Sequence, residues 1–364
     1  MHLSGGVDRR PTVRYVGAPV VWSAAVRSPH AVAHATASVD RIPSGIVSFE
    51  SPVPMLSQLA SRLPTGAQWL YEPKFDGFRG LLRQSSEGLV RLTSRQGRDL
   101  TDWFPELALA SKCLPRSTVL DGEIVIADED GRADFGALQR RLGVASRRSW
   151  QVAANCPAIL LVFDMLECAG TDLMHLPLIE RRHRLEDLLH DLHPCLQLIL
   201  QTSDPDLASQ WLGEVPGLEG VVAKRADGRY KPGRREWIKV KRIRTADCVV
   251  VRVAGDDTAP ILVLALRGSD GELRLCGVTH RIPKDLTEPL EQFIRRAGPP
   301  EGPIRSRWQK QEIARWRRVP PEMVCEVSFS NVDVGHRFRH ATKLLRWRPD
   351  LSAADCRVDQ LTLA

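Results

Sequence analysis

At Lys241 the texture of the chain changes, and this break limits the possible folds more than any other feature. Upstream, from about residue 48, strand-like and helix-like runs alternate. Residues 89–94, 118–127 and 158–164 are apolar or β-branched runs of strand length. Asp134 is placed to cap a helix ending at Arg141, and Leu178, Arg182, Leu185 and Leu189 recur at helical spacing. Residues 219–224 and 236–241 read as two more strands around a turn containing Gly and Pro. Downstream, short β-rich runs take over at 248–253, 261–266, 272–278 and 324–329. One helix-like segment, 284–296, and a Gly/Pro stretch, 297–303, interrupt them. The first pattern predicts a mixed α/β (α+β) domain over 48–241, and the second a small β-barrel of the OB-fold type over 242–364. A chain of 364 residues has room for both cores.

Residues 1–47 share neither pattern. They are rich in Arg, Ala, Val, Ser and Pro, hold only two acidic residues, Asp8 and Asp40, and show no sustained period. They read as a disordered tail or an over-long start, the alternative being a basic arm that touches nucleic acid. The formal charge of +7 favours a polyanionic partner. Eight cysteines are scattered without a C-x-x-C pair, which argues against a zinc site and a disulfide framework and suits a reducing cytoplasm. No apolar run is long enough to span a bilayer.

Several segments place charge where a strand would be apolar. In Glu72-Pro73-Lys74-Phe75-Asp76-Gly77-Phe78-Arg79, Lys74 stands beside a turn signal. A lysine attacks only when neutral, and with an ordinary pKa near ~10.4 roughly one in a thousand is neutral at physiological pH. Burial or neighbouring cations must lower that value. Leu120-Asp121-Gly122-Glu123-Ile124-Val125 sets two carboxylates in a β-branched run, and an inward acid needs a partner such as a ribose hydroxyl or metal-bound water. Leu161-Val162-Phe163-Asp164 reads as an apolar strand that ends in an acid, with Phe163 either a core ring or a platform for a base. In Trp237-Ile238-Lys239-Val240-Lys241, alternation sends Lys239 and Lys241 to one face. Two ammonium groups side by side suit an anion such as a triphosphate, or the guarded edge of a sheet. The cluster from Arg337 to Asp350 alternates arginines with aromatics, as phosphate recognition or a generic basic patch would.

Taken together and in this order, these segments resemble the covalent nucleotidyltransferase superfamily, and within it the ATP-dependent DNA ligases. EPKFDG looks like motif I, TSRQGRDLT like motif Ia, LDGEIV like motif III and LVFDML like motif IIIa. LEGVVAK looks like motif IV, WIKVK like motif V and RHATKLLRWRPD like motif VI. The likeness covers about residues 50–360 and is nearest to small stand-alone actinobacterial ligases of the end-joining type. It implies a nucleotidyltransferase (adenylation) domain followed by an OB-fold, with ATP and Mg²⁺ (or Mn²⁺) as cofactors.

The resemblance also implies roles. Lys74 would attack the α-phosphate and carry AMP, with Lys239 and Lys241 contacting that phosphate. Glu123 would bind the ribose, Phe163 would stack on adenine, and Glu219, with Glu123, would hold the metal. Glu72 and Val222 would join the nucleotide site, and Arg79 and Arg95 would meet the nucleotide or nick phosphate. Arg346, Arg348 and Asp350 would close over ATP for the first step only, the barrel turning about a hinge within 241–247. Where many ligases have a lysine after that aspartate, this chain has Leu351, so the basic group for pyrophosphate is expected from Arg339 or Lys343. Nicked duplex DNA is the implied partner, with a Ku-like end-binding protein beside it, for a monomeric cytoplasmic enzyme. An RNA ligase or GTP-using capping enzyme shares the lysyl-nucleotide chemistry, and a non-catalytic DNA-binding relative is the reading from another class.

Overall fold

The structure, a computed structural model, describes residues 52–129, 131–145, 148–190, 192–213, 218–254, 260–299, 301, 316–333 and 335–361. The tail expected over 1–47 lies outside them. The chain opens with β1 (Leu56–Ala60), β2 (Trp69–Phe75), β3 (Phe78–Gln84), β4 (Val90–Ser94), α1 (Pro105–Ala110) and β5 (Thr118–Ile126). Next come α2 (Phe135–Arg141), α3 (Ser149–Asn155), β6 (Ala158–Cys168), β7 (Thr171–Asp172), α4 (Leu178–Leu189) and β8 (Leu196–Leu198). Helix α5 (Pro205–Leu212) and strands β9 (Leu218–Arg225) and β10 (Arg235–Lys241) complete this unit.

Two sheets divide these strands. One has the order β1-β10-β9-β2, with β10 parallel to β1 and antiparallel to β9. The other runs β4-β3-β5-β6-β7, with β8 beside β6. The second sheet is covered on both faces, which is why β5 and β6 carry apolar residues on both of their faces. Leu120, Ile124, Leu160 and Val162 join a core with α1, α2 and α4. Val119, Val125, Ile159, Leu161 and Phe163 face the first sheet and pack with Tyr71, Val221 and Trp237. Asp121 and Glu123 alternate with the first set, so β5 turns both acids towards the space between the sheets.

Strand β6 runs past Asp164, the acid expected to end it. Asp164 is buried, and Arg181 of α4 meets it through Nε at 2.7 Å and Nη2 at 2.8 Å. With its carboxylate satisfied, the strand continues to Cys168. The cap at Asp134 forms as expected, its side chain accepting from the Ala137 N–H at 2.9 Å.

The second unit contains β11 (Arg244–Ala254), β12 (Ile261–Arg267), β13 (Leu273–Val278), α6 (Glu288–Arg295), β14 (Trp316–Arg318), β15 (Val324–Phe329) and β16 (Lys343–Trp347). Its sheet has the order β13-β12-β11-β15-β16, with β14 beside β11. An isolated parallel bridge between Thr279 and Thr342 ties the segment after β13 to the one before β16. The single helix expected over 284–296 divides into a 3₁₀ turn, Lys284–Leu286, and α6, because Pro289 has no N–H to donate and belongs in a first turn. Of the segment 241–247, where a hinge is expected, only Arg242 and Ile243 lie outside β10 and β11. Strand β11 already begins at Arg244, which pairs with Phe329, and Ile243 is 74% exposed. No disulfide links the eight cysteines.

Candidate active site

Lys74 lies near the end of β2, opposite Gly220 of β9. Both neighbouring glycines are required by space. A Cβ on Gly77 would lie 2.3 Å from the Ile124 carbonyl oxygen, so the turn after Lys74 presses directly on β5. Gly220 has φ +154°, and a Cβ there would lie 2.1 Å from the Val240 carbonyl oxygen. These close approaches bring β2, β5, β9 and β10 around one cavity of about 580 Å³.

The cavity is lined by Lys74, Glu123, Glu219, Lys239 and Lys241, and also by Glu72, Arg79, Arg95, Phe163 and Val222. Glu219 bridges two of the lysines: Oε2 is in contact with Lys74 Nζ, and Oε1 accepts from Lys241 Nζ at 2.9 Å. Burial works to raise the Glu219 pKa, but the two ammonium groups outweigh it and hold the carboxyl at about 2. Burial works to lower Lys74, yet Glu219, Glu123 and Asp76 together hold it above its ordinary value. The sequence led to the expectation that burial or neighbouring cations lower Lys74. In this arrangement a carboxylate stands nearest to it, and the cation stays charged. Lys239 does titrate low, through burial and then the neighbouring Lys241 and Lys74. Glu123 is pushed up to about 7 by burial, against the pull of Lys74 and Arg79.

A second group forms an aromatic wall. Phe163 and Trp237 meet edge to face, with centroids 5.7 Å apart and planes at 89°. Lys224 Nζ lies 4.2 Å from the Phe163 centroid and 4.3 Å from that of Trp237. Lys224 is buried and ion-paired to Glu72 Oε2 at 2.6 Å, yet no hydrogen bond of good angle engages its ammonium. Gln201 Nε2 donates to the other Glu72 oxygen at 2.8 Å. Arg79 is committed to the protein: Nε donates to Asp121 Oδ1 at 2.9 Å, and Tyr230 donates to Asp121 Oδ2 at 2.7 Å. Arg95 is exposed at the rim.

Five expected residues, Arg339, Lys343, Arg346, Arg348 and Asp350, do not line the cavity. Arg346 pairs with Glu326 at 2.6 Å, and Arg348 with Asp247 at 2.9 Å and Asp350 at 2.7 Å. Arg339 contacts Asp76, and its guanidinium lies 3.5 Å from the Phe135 ring centroid. Lys224, Trp237 and Arg235 line the cavity without having been singled out. The alternation that joins Lys239 to Lys241 reaches Trp237 and Arg235 two and four residues back, and the one through Val222 reaches Lys224.

Among the described residues no group of three or more His, Cys, Asp or Glu forms a ready metal cage. The donor set still fits a hard divalent cation of the magnesium kind, which takes one or two carboxylates and completes its shell with phosphate oxygens and water. Glu219 and Glu123, both close enough to act on Lys74, would supply those carboxylates. No helix among the described residues is long and apolar enough to cross a membrane.

The profile of the ATP dependent DNA ligase domain matches residues 54–241. DNA ligase C1 of Mycolicibacterium smegmatis is 39% identical over 331 residues, covering 85% of this chain and 93% of its own. DNA ligase C of Mycobacterium tuberculosis is 35% identical over 337 residues, with coverage of 85% and 93%. The solved structure Pmar-Lig_PreS3 shares the fold, with a TM-score of 0.53 at 17% identity over 81% of this chain and 68% of that one. With its lysine, carboxylates and aromatic wall gathered in the matched region, the chain belongs to the ATP-dependent DNA ligases.

Proposed function

We propose that this ligase seals nicks bearing a 3′-hydroxyl and a 5′-phosphate through a lysyl-AMP and then a DNA-adenylate, in DNA repair by end joining. The observation that carries the reading is the single cavity uniting Lys74 with Glu219, Glu123, Lys239 and Lys241. Lys74 Nζ forms the bond to the α-phosphorus of ATP while the bond to pyrophosphate breaks, leaving AMP as a phosphoramidate. The proton on Lys74 must leave before attack, and because the Glu219 carboxylate in contact with Lys74 stabilises its charged form, that contact must loosen first. Lys239 and Lys241 stand where they neutralise charge on the α-phosphate. Magnesium held by Glu219 and Glu123 would supply further neutralisation of phosphate charge. Phe163 and Val222 suit the two faces of a purine, and the buried Lys224–Glu72 pair offers a donor and an acceptor for its edge.

Residues 242–361 are read as an OB-fold. The sheet order β13-β12-β11-β15-β16, the parallel Thr279–Thr342 bridge and the helix between β13 and β15 all support that reading. In it, Arg348 closes over ATP for the first step, which requires the unit to turn about Arg242 and Ile243. The matched Pseudomonas aeruginosa protein is a multifunctional non-homologous end joining protein, 34% identical over 312 residues. That supports the end-joining context, in which a Ku-like protein is the proposed companion and the cytoplasm the proposed site.

Intact-protein mass after incubation with ATP and Mg²⁺, followed by a chase with nicked duplex, tests the reading. A gain of one AMP that disappears on nicked DNA is expected. Labelling by GTP instead would favour a capping enzyme. No adduct, together with failure on a pre-adenylylated nick, would leave a non-catalytic binder.

A further inference from the structure

Three contacts within its own unit hold Arg348. Asp350 takes one edge of the guanidinium, accepting from Nε at 2.9 Å and from Nη2 at 2.7 Å. Asp247 accepts from Nη1 with both oxygens, at 2.9 and 3.1 Å. The Arg348 N–H donates to the Val324 carbonyl at 2.9 Å. Asp350 stands in the turn after β16 with its side chain 59% exposed, so water screens its half of the grip. Asp247 is the firmer half, 26% exposed and built into β11. It faces Glu326 of β15 in register, and Arg346 of β16 meets Glu326. Two acids directly opposed repel, and Arg346 and Arg348 are the cations that let the pair stand.

What fixes Asp247 is a side chain from the last described turn. On one edge, β11 pairs with β15 at this position. On the other, pairing with β12 begins only at Val249, so Asp247 has no strand partner there for its N–H and carbonyl. The Gln360 amide takes both. The Asp247 N–H donates to Gln360 Oε1 at 2.8 Å, and Gln360 Nε2 donates to the Asp247 carbonyl at 3.0 Å. One primary amide thereby stands in for a strand. Gln360 belongs to the 3₁₀ turn Val358–Leu361, and Leu361 is buried in the core of the second unit. Every group in this chain of contacts lies on that unit, so the set would travel intact if the unit turns. An arginine that must meet a phosphate loses side-chain freedom on contact, and a guanidinium fixed beforehand loses less.

We propose that Asp247 and Gln360 are positioning residues for adenylylation: Gln360 fixes the backbone of Asp247, and Asp247 fixes the guanidinium of Arg348 before it reaches the ATP phosphates. This rests on the reading of Arg348 as the closing group. Sealing of an existing DNA-adenylate does not use either residue.

The full chain carrying Asp247→Asn tests it. Self-adenylylation is followed in single turnover across ATP concentrations, and sealing of a pre-adenylylated nick is measured separately. The maximal rate of adenylylation is expected to fall about tenfold, as loss of one charge-assisted contact would cause, while half-saturating ATP and the sealing rate stay within about twofold. Asp247→Glu keeps the carboxylate and should retain most of the rate that Asn loses. A purely structural role would give the reverse order, because Asn is the closer match in shape. Should Asp247→Asn fail to fold, Gln360→Leu carries the same test, with a smaller fall in adenylylation and the same spared sealing. Equal loss of both steps, no loss of adenylylation, or Asn outperforming Glu overturns the proposal. Arg348→Ala separates it from the reading beneath. Slow adenylylation in that variant beside a normal Asp247→Asn overturns the positioning alone, whereas normal adenylylation in Arg348→Ala removes the closing role and the positioning with it.

Discussion

Replacing Lys224 by Met tests whether the aromatic wall depends on a buried charge. The side chains of Lys224 and Glu72 are 2% and 3% exposed, so neither charge is screened by water. Methionine keeps the length of the side chain and the contact with Phe163 and Trp237, and removes only the cation. Glu72 is then left with one hydrogen bond, from Gln201. Breaking a buried pair from one side costs about 3–5 kcal/mol, because the remaining charge has lost its compensation. For a unit of this size each kcal/mol moves the melting temperature by about 2–4 °C, so a fall of roughly 6–20 °C is expected. Adding Glu72→Gln removes the stranded charge, and the double variant should recover at least half of the loss. Urea unfolding of the four proteins closes the cycle, and ATP labelling of each reports the pocket. A single variant within about 1 kcal/mol of the parent, or a double variant at the sum of the singles, would show that the pair is solvated or uncoupled and refute the argument.

Three further outcomes follow from the same geometry. The Glu123 carboxyl, at about 7 in the folded chain, is raised above its ordinary 4.5, so the folded state holds this proton more tightly than the unfolded state. Its contribution to stability is therefore present at low pH and lost as pH rises through 7, so Glu123→Gln should melt higher than the parent at pH 8 while losing adenylylation; a lower melting temperature there would contradict the shift. Phe163→Ala should weaken ATP use by about 1–3 kcal/mol through lost stacking, measured as the half-saturating ATP concentration for labelling; unchanged use would remove the ring from the base site. Gly77→Ala should lose the adduct and several degrees of melting temperature, since its Cβ would strike the β5 backbone 2.3 Å away; a fully active variant would show that the turn can retreat.

How much was legible beforehand depended on whether alternation or long-range packing decided the outcome. Lys239 and Lys241 share a face because a strand alternates, and the same rule extended by two residues would have found Trp237. The buried Lys224 was one alternation step from Val222, but its partner Glu72 lies 152 residues away, on another strand. Asp164 read as a strand end because Arg181, its partner, sits on a helix that sequence spacing does not bring near. The same limit applies to Asp76. Its turn was plain in the sequence, but the convergence of Asn331 and Arg339 on it depends on how two units sit together. Arg348 was identified as a phosphate-binding arginine by resemblance; its place on Asp247 is a property of the arrangement, which residue types do not specify.

The strand that delivers Lys239 and Lys241 also leads into the joint between the units. Strand β10 is gripped along one edge by β1 and along the other by β9, and the Arg242 N–H is held by the Glu219 carbonyl at 3.1 Å. Torque from a turning second unit would therefore meet a fixed anchor one residue beyond Lys241 and be spent at Ile243. Under the proposed turning, the lysines of β10 would be mechanically insulated from the second unit, as a bearing isolates a shaft from its housing. A second unit that turns as proposed would therefore leave Lys239 and Lys241 undisturbed.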